Sequence, residues 1–198
     1  MSRIRVRPTR AETRQRLFEA AAELFQQRGI GAASIDAITE AAGLTRGAFY
    51  SNFADKNELI VAMLEDHVDR SVRHHRELLE RHPASSDFVN ALRTVERSRK
   101  DPLGRAPLLH LELILFVARS PQHRSQLRER LRTRRALVAE IIERLNREGG
   151  PVVDAEWASA MLLALEDGFR LHRLIDPQGT PADRFFESLT HLQRIMRR

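Results

Sequence analysis

The sequence contains no cysteine, which excludes disulfides, thiolate-bound metals and a cysteine nucleophile. It has no apolar run long enough to span a bilayer. Its first residues, SRIRVRPTRAETR, lack the apolar core of a signal peptide. A cytoplasmic location is expected from these absences. A glycine-rich phosphate loop, a nucleophile elbow and a His-Glu-x-x-His metal motif are also missing. No catalytic residue, metal ligand or cofactor is therefore assigned, and the chain is read as a non-enzyme. No segment reads convincingly as a strand, and neither an internal repeat nor a low-complexity tract is present.

What is present is helical punctuation from end to end. The 198 residues are 42% hydrophobic and 30% charged, enough for a real core in one domain or two small ones. A net charge of +6 and a pI near 10.9 favour a polyanionic partner. Thr9 and Glu12 form a capping-box pattern that opens a helix to about Arg28. Asp55 and Glu58 open a long helix that ends before Pro83. Further helices are expected over about 86–99, from Ala106 to Arg119, from Pro121 to Gly149, from Asp154 to about Asp176, and from Thr180-Pro181 onward.

The most informative stretch is SIDAITEAAGLTRGAFYSNFADK, residues 34–56. Ile35 and Ile38 supply the inner face of a short helix, and Gly43 takes the left-handed conformation that stops it. Thr45 caps a second helix. Phe49 and Phe53 anchor that helix one turn apart, while Arg46, Gly47, Ala48, Tyr50, Ser51 and Asn52 face outward. Such a face fits a major groove, so the segment reads as a helix-turn-helix. Ser34 and Thr45 sit at helix N-termini, where free N–H groups attract phosphate. Arg46 is the strongest base reader, because guanidinium can pair with both guanine acceptors. The Ala48 methyl can meet a thymine methyl. Arg3, Arg5, Arg7 and Arg10 form a basic arm suited to a minor groove or to phosphates.

These residues, together with Ala21, Ala22, Leu24, Phe25, Gly29, Ala42, Leu44 and Leu59, resemble the DNA-binding region of the TetR family of bacterial transcriptional regulators. The resemblance implies an all-α fold of about nine helices. Residues 1–54 would form the DNA-binding domain, and residues 55–198 a helical effector-binding and dimerisation domain. It further implies phosphate contacts by Tyr50 and Lys56. Thr39 departs from the family pattern, and its hydroxyl is expected to bond back to the preceding turn.

Beyond the helix-turn-helix, polar residues interrupt apolar helices. In PLLHLELILFVA, His110 and Glu112 are the only ionisable groups. A buried carboxylate must be paired, hydrogen-bonded or protonated, so Glu112 should meet an internal arginine or face a cavity. Met63, His67, His110, Glu112, Phe116, Trp157 and Met161 are the ligand-binding candidates. Ala160, Ala164 and Gly168 form a small-residue stripe, and Phe185, Leu189, Leu192 and Met196 an apolar one. The resemblance implies that these two stripes build a homodimer interface. The expected function is a repressor released from a pseudo-palindromic double-stranded DNA operator by a small-molecule effector. A DNA-binding regulator without an effector, and an all-helical enzyme using Glu112 with His110, are the alternatives.

Overall fold

A computed structural model of the protein describes residues 8–82, 85–96, 102–148, 152–181 and 183–196. Among the described residues there are ten helices and no strand. They are α1 (Arg10–Ala32), α2 (Ile35–Ala41), α3 (Arg46–Tyr50), α4 (Lys56–Arg81), α5 (Ser85–Glu96), α6 (Pro102–Arg105), α7 (Pro107–Ala118), α8 (Pro121–Arg147), α9 (Ala155–Ile175) and α10 (Arg184–Met196). The helix beyond the expected nine is α6, a single turn at Pro102, where only a chain break was anticipated. No described helix is long and apolar enough to cross a membrane.

Local chemistry sets the ends. Thr9 Oγ1 accepts the Glu12 amide at 3.2 Å, and the Glu12 carboxylate accepts the Thr9 amide at 2.7 Å. Donation to the Glu12 carboxylate by the Thr9 amide first, and by the Thr9 hydroxyl at 3.0 Å second, holds the Glu12 pKa below its ordinary value. The regular course of α1 stops at Gly29, whose φ of 78° suits a residue without a Cβ. Asp154 caps α9 by accepting the Trp157 amide at 2.7 Å. The last helix begins at Arg184, later than the Thr180-Pro181 start expected. The Asp176 carboxylate takes the Gly179 amide at 2.9 Å, and its carbonyl takes the Thr180 amide at 3.0 Å. Thr180 is thereby used in the turn that closes α9.

The chain packs as two compact units. One is Met1–Leu64 with Asp101–Ser120, and the other is Glu65–Lys100 with Pro121–Arg198. The boundary between these units is not at residue 54: the start of α4 and the α6–α7 segment group with α1–α3, and α6 and α7 pack on α1. In the first unit α1 packs on α2, α6 and α7. Leu17, Phe25, Ile38, Phe49, Phe53, Leu59 and Leu64 are fully buried, each such side chain stabilising by about 1.5–3 kcal/mol. In the second unit α8 packs along α9, and α9 along α10. Arg134 and Arg170 each donate to Glu166 at 2.7 Å. Phe185 meets both Phe169 and Phe186, edge to face.

Candidate nucleic-acid interface

The candidate interface is built on three aromatic rings. Phe53 lies 5.8 Å from Phe18 and 5.7 Å from Phe49, all three buried. They fix the rotation of α3, so its remaining residues face outward. Gly43, at φ 64°, makes the sharp turn between α2 and α3. Ser34 Oγ accepts the Ala37 amide at 3.1 Å, and Thr45 Oγ1 accepts the Ala48 amide at 3.2 Å. Both caps are exposed, leaving each hydroxyl a free face. Thr39 is buried and its hydroxyl bonds the Asp36 carbonyl at 3.0 Å, the back-bond expected from the sequence.

Arg46 is held by more than the sequence suggested. Its Nε and Nη1 meet the two Asp36 carboxylate oxygens at 3.1 and 3.4 Å, a two-pronged pair. Its guanidinium also lies 6.0 Å from the Tyr50 ring centre. Hydrogen bonding with Tyr50 and the charge of Asp36 raise its pKa further above the ordinary arginine value. The group is therefore permanently charged and oriented before any partner arrives. Asp36 was missed in the sequence. Its signal was an acidic residue in the first turn of the helix preceding the candidate arginine.

The rest of the face is small or hydroxylic. Gly47, Tyr50 and Ser51 are exposed, Ala48 is half-buried, and Ser51 Oγ donates to the Gly47 carbonyl at 2.7 Å. Two further candidates, Asn52 and Lys56, hold bonds within the chain. Asn52 turns inward, its Nδ2 donating to the Ala48 carbonyl at 2.8 Å and its Oδ1 accepting from Arg10 Nε at 3.4 Å. Each end of its amide thus has one partner within the protein. Lys56 Nζ donates to the carbonyls of Ile30 at 2.8 Å, Ala33 at 3.0 Å and Gly31 at 3.4 Å. Of the basic arm, Arg3, Arg5 and Arg7 lie outside the described residues. Arg14, not singled out from the sequence, stacks 4.7 Å from the Phe53 ring centre.

The ligand candidates divide between the units. In the first, Met63 and His110 are buried and Phe116 is half-buried. Glu112 is exposed, on the same side of α7 as the exposed Leu108 and Leu115, so the buried carboxylate expected there does not exist. The apolar run misled because α7 leaves one face outside. In the second unit His67 is buried and Met161 half-buried, while Trp157 is 63% exposed and cannot line an interior cavity. A cavity of about 380 Å³ in this unit is lined by Leu79, Glu140, Arg144, Arg147 and Glu148, none of them a ligand candidate. Among the described residues no group of three or more His, Cys, Asp or Glu is placed to hold a metal ion.

Of the proposed dimer residues, Ala164 is exposed, and Ala160, Gly168, Phe185 and Leu189 are half-buried. The side chains of Leu192 and Met196 lie outside the described residues. A Cβ placed at Gly168 would meet nothing within 4 Å.

Comparison with known proteins agrees with this geometry. Residues 17–63 match the model of bacterial regulatory proteins of the tetR family, and residues 108–195 match that of the BetI-type transcriptional repressor C-terminal region. The transcriptional regulator AcrR of Shigella flexneri is 44% identical over 54 residues, covering 27% of this chain and 25% of that protein. The chain thus aligns with about a quarter of that relative's length. A putative transcriptional regulator from Pseudomonas aeruginosa PAO1 superposes with a TM-score of 0.77 at 21% identity, covering 96% of this chain and 93% of that one. Another, from Saccharomonospora viridis in complex with choline, gives 0.74 at 19% identity, covering 91% and 95%. With residues 17–63 and 108–195 matched by family models and a helix-turn-helix between α2 and α3, the chain belongs to the TetR family.

Proposed function

We propose that this chain is a DNA-binding transcriptional regulator, acting as a homodimeric repressor that a small-molecule effector releases from its operator. The observation that carries the reading is the outward face of α3. A buried Phe49–Phe53 base presents Arg46, Gly47, Ala48, Tyr50 and Ser51, with two exposed helix caps and a pre-oriented guanidinium beside them. Such a face sets Arg46 against guanine in the major groove and lets Ser34, Thr45 and Tyr50 hold phosphates. Residues 1–54 supply the reading function, although the start of α4 packs with them. A cytoplasmic location follows from that role.

Dimerisation through α9 and α10 would place two α3 helices on successive turns of one duplex face. The effector would act in the helical remainder of the chain, with His67 and Met161 as its lining candidates in the second unit. The structural relative solved with choline supports effector binding as a property of this fold. A shift of α4 on effector binding would change the separation of the two heads. Effector and DNA would then disfavour each other reciprocally, with a coupling of roughly 1–3 kcal/mol. The test is selection of duplexes from a randomised library by the purified protein. Recovery of an inverted repeat supports the reading, and recovery of no enriched sequence overturns it.

A further inference from the structure

We infer that the first half of α8 is a second, sequence-independent contact for nucleic-acid phosphates, carried by Arg124, Arg128 and Arg135. The inference rests on the DNA-binding reading above. Residues 121–135 hold six arginines against one glutamate, a net +5 within a chain of net +6. At the pitch of an α-helix, Arg124, Arg128 and Arg135 fall within about 40° of one another around the axis. All three are exposed, and among the described residues none of them has an ion-pair partner. The neighbouring arginines are used differently. Arg130 meets Asp69 at 3.3 Å and Glu65 at 3.9 Å on α4, and Arg134 donates to Glu166 on α9 at 2.7 Å. Arg132, beside the stripe, holds an exposed pair with Glu129 at 3.4 Å. Internal ion pairs thus fix one side of the helix, and its unpaired cations line up on another.

The chemistry of the stripe suits a phosphate chain better than a membrane or a protein. Leu127 and Leu137 are buried, so only Leu131, 46% exposed, stands among these arginines. A helix lying in a bilayer needs a whole apolar face, and a protein interface needs apolar anchors at its centre. Nucleic-acid interfaces are more polar and much more positively charged. Arg124 and Arg135 stand eleven positions apart, about 16 Å along the helix. Over that length a duplex carries roughly ten phosphates. Each guanidinium can take a phosphate with two parallel bonds, and the rigid helix sets their spacing before contact. The stripe is also bounded. On the same side Val138 is half-buried and Ile142 buried. Residues 136–147 hold two arginines against two glutamates, so the excess charge is confined to the first half of the helix.

The test compares two triple variants of the full chain. One carries Arg124→Gln, Arg128→Gln and Arg135→Gln; the charge-matched control carries Arg73→Gln, Arg76→Gln and Arg147→Gln, at exposed positions elsewhere. Glutamine keeps helix propensity, and melting curves check that both fold. Affinities for the duplex recovered by library selection and for unrelated duplex are measured from about 50 to 200 mM salt. The α8 variant should flatten the salt dependence on both duplexes by about 0.9 for each arginine lost, and keep single-base discrimination. The control should keep the unmodified slope. An unchanged slope in the α8 variant, or an equal loss in the control, would overturn the inference. So would loss of poly-glutamate binding with an unchanged duplex slope, which would assign the face to an acidic polypeptide. A second measurement needs no triple variant. The chain has no cysteine, so Arg128→Cys can carry a photo-cross-linker at one site. It should cross-link to duplex where Arg147→Cys does not; no cross-link at 128 would overturn the inference. Cross-linking to the flanks of the selected duplex alone would place the contact on that same duplex. Cross-linking only with unrelated duplex in excess would place it on a second one, and either supports the inference. If the unmodified protein enriches no sequence, the reading role of α3 fails, and the slope on unrelated duplex still decides the role of α8.

Discussion

Asp36 and Arg46 stand ten residues apart and on different helices, yet their side chains form a two-pronged pair. Each is more than 60% exposed, so the pair adds little to stability; exposed ion pairs contribute about 0–1 kcal/mol. Under the proposed function its effect belongs to recognition. Asp36→Ala should lower discrimination at the base pair read by Arg46 and raise affinity for unrelated duplex, because a carboxylate near the phosphates is removed. Arg46→Ala should cost on the order of 1–3 kcal/mol on the selected duplex and relax the same position. If the two substitutions relax different positions in titrations against single-base variants, the pairing does not act in recognition. Glycine gives a second contrast at this scale. Gly43 has φ 64° and Gly31 no such conformation, while neither has an atom within 4 Å of an added Cβ. Gly43→Ala should therefore destabilise by about 1–2 kcal/mol through backbone strain alone, and Gly31→Ala should be neutral or stabilising in denaturant titrations.

Among the helices, those with local stop and start signals were legible and those defined by packing were not. The Thr9 box, the Gly29 stop, the Ser34 and Thr45 caps, Pro121 and Asp154 all act through neighbours a few residues away, so spacing in the chain reveals them. The exposed face of α7 and the carbonyl cage around Lys56 depend on partners distant in sequence. No periodicity records those. Helix α9 carries two predictions. Because the space around Gly168 is open in the single chain, Gly168→Leu should fold normally and even gain helix propensity. Its defect should appear only in sedimentation, as a shift from dimer to monomer; an unchanged dimer would place the interface elsewhere. Beside it, burial raises the Asp167 pKa against the opposing charges of Arg134 and Arg170. A carboxyl raised on folding favours the folded state while protonated, and that advantage fades as pH rises from the unfolded pKa through the folded one. Asp167→Asn should remove this acid-range sensitivity from the melting temperature. The change should be small, since the Asp167 side chain keeps 55% of its surface exposed.

For the molecule as a whole, the question is whether two chains meet along α9, and the sequence provides its own reporter. The chain has one tryptophan, Trp157, which was a ligand candidate but stands 63% exposed in the first turn of α9. Ala164, Gly168, Leu171 and Ile175 follow it at intervals of seven, four, three and four residues, the spacing of one helix face. Leu171 and Ile175 are 47% and 78% exposed. An apolar stripe of this length left open on one chain is what a second copy would cover. Raising protein concentration through the dissociation range should move Trp157 emission to shorter wavelength, in step with the sedimentation change. Gly168→Leu should hold the emission at the monomer position over the same range. Affinity for a duplex with two half-sites should rise along the same curve, because the second head then binds an already tethered site. Affinity for a duplex with one half-site should follow it far less. An emission that stays constant while sedimentation reports a dimer would mean that the interface does not reach the start of α9. Equal affinity for the two duplexes at every concentration would mean that the chain reads DNA as a monomer.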